Sequence, residues 1–407
     1  YTPHKDVFIG LNDSEINRNK DYKFDLSGPI FKNYLNFIIN GRYQDNKGHL
    51  NGIHRFNVDD YSDFTSDDST QWYSEHNGTN EYVPMNWGKH YTFFGKLSLK
   101  PMNPLKVSLM FTWNDNKGQG YDHFYKYNPY GRATYYQTSK MTILQVNHML
   151  SPAAFYEFKA SYVDNYNGNY MYENPYDSRY VHDAYARSTG PGFLTGGQQK
   201  HHIRRTIRDT NLKFNLTWQL NKNHSMKTGC LYTHHNLDNK SISIRNKYYG
   251  TELEMQYEYD PVAKKRRYLY YEPVILPDSS IYSDIYQVKP FEFSCYLQDK
   301  MEFNEMVINL GIRYDYFNPN TRYPSQPRNP ANQLDFPDNP EKMSTYPEAK
   351  PQYQISPRFG ISYQLGKTAL LRFAYGHFFQ MPPLYALYQN HSFLIAPSDF
   401  STTMGTV

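Results

Sequence analysis

Two histidine pairs raise the first chemical question, "HHIRR" at 201–205 and "THHN" at 233–236. Neighbouring residues on a strand point to opposite faces, so adjacent histidines there make poor chelates. His201 and His202 read as loop residues that would need metal partners the sequence does not reveal. Both pairs are expected as solvated or rim histidines. The acidic pairs Asp59–Asp60 and Asp67–Asp68 lie in polar sequence and read as solvation. The run "KKRRY" (264–268) reads as a solvated hairpin tip, with an anionic partner as the sharper alternative. No G-x-S-x-G, P-loop or H-E-x-x-H occurs, so no catalytic residue, metal set or cofactor is expected. Cys230 and Cys295 form no metal spacing and no disulfide framework, and are expected as small apolar side chains.

Three other groups carry more weight. Arg42, Lys213, Arg313, Asp315, Arg358 and Arg372 each sit in an alternating segment, opposite an apolar face. Trp72, Trp87, Tyr121, Tyr125, Tyr127 and Tyr135 crowd polar stretches, where rings suit stacking on sugars, chelates or peptides, or packing among themselves. Tyr43, Trp113, Tyr162, Tyr375 and Phe379 fall at the ends of alternating segments. Aromatics make up 17% of the 407 residues, including 42 Tyr, which argues against disorder. A tyrosine has an apolar ring and a wet hydroxyl, and so suits a boundary between oil and water. The net charge of +4 and the lack of a regular basic face give no support to nucleic-acid binding.

The elements that position these residues are strands. In "LKVSLMFTWND", Leu105, Val107, Leu109, Phe111 and Trp113 share one face; Lys106, Ser108, Thr112 and Asn114 share the other, with Met110 as the exception. The same period of two recurs in about twelve segments, near 21–28, 34–44, 91–100, 105–116, 139–150, 154–166, 206–220, 223–236, 291–303, 306–317, 355–365 and 368–380. They come in pairs joined by short turns such as "QLNKNH" and "QLGKT". Successive pairs are joined by long polar stretches near 45–90, 117–138, 167–205, 237–290 and 318–353.

That alternation of short and long connections is the pattern of a transmembrane antiparallel β-barrel, with short periplasmic turns and long extracellular loops. A strand crosses a bilayer in about 9–11 residues. Backbone groups in lipid must all be paired, which strands achieve in a closed sheet. Half of each strand then faces a polar lumen, which accounts for a mean hydropathy of −0.81. A charge on the lipid face would cost about 2–4 kcal/mol near the midplane, so the six charged candidates are expected in the lumen. There they pair with one another and with a plug, or line a path for a charged ligand. The aromatic strand ends are expected at the membrane interfaces.

"ISPRFGISYQL" (355–365), followed by "LLRFAYGHFFQMPPLYALY", resembles the barrel of TonB-dependent outer-membrane receptors. "LSGPIFKNYLNFIINGRY" (26–43), "HMLSPAAFYEFKASY" (148–162), "NHSMKTG" (223–229) and "YLQDKMEFNEMVINLGIRYDYF" (296–317) resemble it too, in the same order. The resemblance covers strands and short turns and barely touches the long loops. It implies a 22-stranded barrel around an N-terminal plug, with a TonB box that engages an inner-membrane energy complex. This chain would hold about twelve of those strands, as a single partial barrel domain over 1–407 without plug, TonB box or last strands. The implied function is energy-coupled uptake of a large scarce ligand such as a siderophore, cobalamin, a glycan or a peptide. The implied partners are outer-membrane lipid, lipopolysaccharide and the TonB complex. A passive porin-like or adhesin-like barrel is the alternative, and a soluble β-rich glycan-binding protein or hydrolase is a third reading from another class.

Overall fold

The computed structural model describes residues 19–32, 34–187, 192–262, 265–278, 280–329, 331 and 339–390. Twelve long strands form one antiparallel meander: β1 Asn19–Phe31, β2 Leu35–Asn46, β3 Gly88–Met102, β4 Leu105–Gly118, β5 Thr134–Ser151, β6 Ala154–Tyr170, β7 His201–Gln219, β8 His224–Ser243, β9 Phe291–Glu302, β10 Met306–Asn318, β11 Gln352–Leu365 and β12 Ala369–Gly376. Each pairs with the next in sequence, and each expected segment coincides with one of these strands, although residues 377–380 of the last segment are not strand. The sheet is not closed: among the described residues β1 and β12 each have one paired side. No described helix is long and apolar enough to cross a membrane.

The connections split as the sequence implies. At one end they are two to four residues long, at 32–34, 103–104, 152–153, 220–223, 303–305 and 366–368. Lys32 and Gly366 adopt φ of +44° and +63° in two of these turns. At the other end they span 47–87, 119–133, 171–200, 244–290 and 319–351. The strands also run further toward this end than the alternation does. β7 starts at His201, so the two histidines placed in a loop from sequence belong to a strand. At the other edge β12 stops at Gly376, before Pro382 and Pro383, and a short helix, Leu384–Tyr388, follows them.

One face of the sheet is apolar and uncovered. Leu109, Phe111, Leu212, Phe214, Leu310 and Ile312 all point outward and are 38–51% exposed. Burial of such surface is favourable, so a face this size needs an apolar solvent. The opposite face carries Ser108, Thr233, His235, Asn239, Ser294 and Ser356, all buried.

Cys230 and Cys295 correct the expectation of two unpaired thiols. They lie opposite each other on β8 and β9 and form a disulfide. The register of two neighbouring strands brings them together, and no spacing motif announces it.

Candidate ligand cap and lumen wall

Four of the five long connections are tied to one another. Ile53 N–H donates to the Lys126 carbonyl at 2.8 Å, Leu194 N–H to that of Phe124 at 2.8 Å, and Gly197 N–H to that of Val58 at 2.7 Å. Tyr268 N–H donates to the Tyr185 hydroxyl at 3.1 Å, and that hydroxyl donates to the Arg266 carbonyl at 3.1 Å. The described residues of 47–87, 119–133, 171–200 and 244–290 therefore fold into one cap. Its centre is a cluster of Tyr61, Ala184, Tyr185 and Tyr268, flanked by Tyr73 and Val181.

Two sequence readings change here. Asp60 is fully buried, where it accepts from the Asn57 and Asn77 backbone N–H groups at 3.0 and 2.8 Å and from the Asn77 amide. It closes a turn and is not a solvated charge. In the basic run, Lys265 pairs with Asp59, and the Arg266 guanidinium lies 4.4 and 5.0 Å from the rings of Tyr61 and Tyr257. A run of like charges reads as solvated because sequence does not show the rings that receive it. Lys264, and residues 332–338 of the proline-rich stretch, lie outside the described residues.

The six aromatics expected in loops split into four groups, and one of them, Tyr135, lies at the start of β5. Tyr121 and Tyr127 share a patch with His123, Lys126 and Phe193. The Tyr127 and His123 ring centroids are each 5.0 Å from that of Phe193, the Tyr121 hydroxyl is 2.9 Å from His123 Nδ1, and Lys126 Nζ is 5.2 Å from the Tyr127 ring. Tyr125 is core, and burial pushes its phenol up to about 12. Trp87 and Tyr135 brace the base of the cap. Trp87 Nε1 donates to Gln119 at 3.1 Å, and the Tyr135 hydroxyl lies over Gly118. Trp72 stands apart and half exposed, with its indole donating to the Ser66 carbonyl at 2.7 Å. The sequence also gave no hint of Arg132, buried near Tyr121 and Tyr125 with Nη1 donating to the Met85 carbonyl at 3.0 Å. Burial lowers its pKa.

The charged candidates line the polar face without converging. Arg42 makes two hydrogen bonds to Asp21, at 2.9 and 2.8 Å. Arg313 bonds Asp315 at 2.8 Å and Ser294 at 3.0 Å. Lys213 stands opposite Lys159 in the register. Arg358 contacts the Phe378 ring, and Arg372 is exposed on the edge strand β12. His234 and His235 point to opposite faces, and His235 Nδ1 is 2.6 Å from Asp209. Among the described residues no group of His, Cys, Asp and Glu has the geometry of a metal site.

On the apolar face, Tyr43 and Trp113 belong to one row of rings. Tyr22, Tyr43, Tyr91 and Trp113 stack across β1–β4 with centroids 6.3, 4.8 and 6.4 Å apart. Tyr162 and Tyr375 are exposed on the same face, at 46% and 55%. Phe379 lies beyond the end of β12.

A sheet with one apolar face, a polar inner wall and all its long connections at one end defines an outer-membrane β-barrel. A family model described as "Outer membrane beta barrel domain" matches residues 73–406, and the chain belongs to that family. No curated protein matches the sequence. Among solved structures, the FrpB iron transporter from Neisseria meningitidis shares the fold. Its F5-1 variant is 13% identical with a TM-score of 0.50, over 92% of this chain and 48% of that one. Its F3-3 variant has the same identity and TM-score over 92% and 46%. The outer membrane transporter YddB from Escherichia coli, 13% identical, matches over 85% and 36% with a TM-score of 0.47. The chain thus spans about a third to a half of the length of these proteins.

Proposed function

We propose that this chain is the barrel portion of an outer-membrane receptor for TonB-dependent uptake of a large scarce ligand, a siderophore, cobalamin, glycan or peptide. The observation that carries the reading is the cap. Four long outer connections fold into one aromatic, hydrogen-bonded body over the polar wall. A passive pore needs an open mouth; a receptor needs a formed surface to select its ligand before transport. The Tyr121–Tyr127–Phe193 patch with Lys126 suits a ligand that has flat or sugar-like faces and some negative charge. The lumen cations Lys213, Arg358 and Arg372 extend that preference down the wall, and the outward rings anchor the barrel among lipid and lipopolysaccharide. FrpB is an iron transporter, but at 13% identity its cargo does not pass to this chain.

The test is uptake of a ligand panel by cells with and without the receptor gene, each with and without a proton uncoupler. Receptor-dependent uptake that the uncoupler abolishes supports the reading. Receptor-dependent flux of small solutes that survives the uncoupler establishes the passive pore instead.

A further inference from the structure

The longest outer connection, 244–290, carries a hairpin of its own. Tyr257–Asp260 pairs antiparallel with Lys265–Tyr268, and the two form a separate sheet. The second strand sits against the cap: Tyr268 is buried in its core and Lys265 pairs with Asp59. The first strand is the outer edge, and each of its residues is exposed. Half of its backbone is used. Leu269 N–H donates to the Gln256 carbonyl at 3.0 Å, so by the alternation of an antiparallel ladder Glu258 and Asp260 turn their backbone groups to the partner strand. The N–H and C=O of Tyr257 and Tyr259 then point outward, and among the described residues no backbone group meets them there.

The side chains along this edge are apolar groups beside acids. Leu253, Met255, Tyr257, Tyr259 and Val262 are 36–93% exposed. They belong to the cap and not to the lipid-facing sheet, and an exposed apolar cluster of that kind marks a contact surface. Glu258 and Asp260 share the face of the strand opposite the two tyrosines. Sheet edges are commonly blunted by lysine or proline. The strand Tyr257–Asp260 contains neither.

We propose that this edge receives an extended basic segment of a second protein held in the same membrane, added to the hairpin as a third strand. The segment's N–H and C=O groups meet those of Tyr257 and Tyr259. Its Lys or Arg side chains lie beside Glu258 and Asp260, and its alternate apolar side chains lie on the tyrosine rings. Charge decides against two other occupants. A second copy of this chain would bring its own Glu258 and Asp260 against these, and an anionic lipid surface would meet them with like charge. Size decides against a third. Two outward residues offer only a few main-chain hydrogen bonds, which hold a segment with about millimolar affinity. A dilute free peptide is not retained at that affinity. A segment tethered to the same surface is present at about millimolar effective concentration, and is retained. The edge uses no residue of the Tyr121–Tyr127 patch, so it stands or falls apart from the uptake reading.

The test places a photo-crosslinking benzoylphenylalanine at Val262 of the full-length receptor in native outer membranes, with the captured species and the joined residue identified by mass spectrometry. The expected capture is one other membrane-held protein, joined through a segment in which Lys or Arg alternates with apolar residues. Glu258→Lys should cut its yield about tenfold or more, and reversing the facing base to Glu should restore it. Tyr259→Pro removes an outward N–H and should cut the yield further than Tyr259→Ala, which keeps it. Hydrogen exchange at the Tyr61 amide should stay unchanged in Glu258→Lys, because that side chain lies on the hairpin's outer edge. Capture of only a second receptor copy, a free peptide, lipid or glycan, a segment without the basic alternation, no capture at all, a yield indifferent to Glu258→Lys, or equal yields from Tyr259→Pro and Tyr259→Ala each overturns the proposal.

Discussion

Cys230 and Cys295 face each other across β8 and β9 with Cα atoms 4.2 Å apart, and their disulfide sits on the apolar face of the sheet. That separation belongs to a pair between ladder hydrogen bonds, where side chains approach most closely. The bond spans 65 residues of chain and so closes the whole 244–290 excursion. Replacing both cysteines by serine should lower stability by about 2–4 kcal/mol through the freed loop entropy. The readout is the temperature at which the folded, fast-migrating gel band is lost, with and without reductant. An unchanged midpoint, together with maleimide labelling before reduction, would sink the disulfide.

The chain has four tryptophans, and the structure divides them two and two. Trp113 and Trp218 lie on the apolar face toward opposite ends of the sheet, Trp113 on the side of the long connections and Trp218 beside the short turn 220–223, while Trp72 and Trp87 belong to the cap. Single-tryptophan variants reconstituted with lipids brominated near the headgroup should show quenching of Trp113 and Trp218 only. Quenching of Trp72 or Trp87 to the same degree would misplace the membrane. Trp113→Ala should also cost about 0.5–1.5 kcal/mol beyond lost area, because it ends the row that begins at Tyr22.

The strands were legible because a bilayer writes them into the sequence. Where one face meets lipid, Leu212, Phe214 and Leu216 alternate with Lys213 and Asn215, and the period is plain. Beyond the lipid both faces are wet. His201, Ile203 and Arg205 alternate with His202 and Arg204, so the first five residues of β7 gave no signal. The cap was illegible for a different reason. Asn128 donates to the Gly197 carbonyl at 2.8 Å across 69 residues, and such pairings leave no local pattern. Tyr121 and Tyr127 were visible as rings, but their partners Phe193 and His123 were not. The cysteine pair was within reach, since consecutive strands pair in a meander and only the register had to be counted.

Arg266 should act as a clamp between two connections. Its guanidinium covers the Tyr61 and Tyr257 rings, and its N–H donates to Glu75 at 2.8 Å. Arg266→Ala removes the ring contacts and leaves the backbone bond. Cation–π contacts contribute about 0.5–2 kcal/mol, so hydrogen exchange at the Tyr61 amide, which donates to Glu75, should quicken severalfold. Arg266→Lys should recover part of the protection. Equal exchange in all three proteins would return the basic run to the solvated tip that its sequence resembles.

His182 should make the cap sensitive to acid while the barrel stays indifferent. The ring is 2% exposed and stacks on Tyr268 with centroids 4.5 Å apart; Nδ1 accepts from the Ala184 N–H at 3.0 Å. Burial holds its pKa below the ordinary value, opposed by Asp183 and Glu254 and reinforced by Lys200. The folded cap therefore keeps His182 neutral at a pH where the unfolded chain has taken up a proton. Its stabilising effect is complete above about pH 6.5 and is lost as pH falls through the depressed folded value. Hydrogen exchange of residues 180–187 and 265–271 should quicken between pH 7.5 and 5, while strand amides of β9 and β10 remain protected. His182→Gln, which retains an acceptor and does not titrate, should flatten that profile. A pH response that survives the substitution, or one shared equally by the strands, would place the acid sensitivity elsewhere.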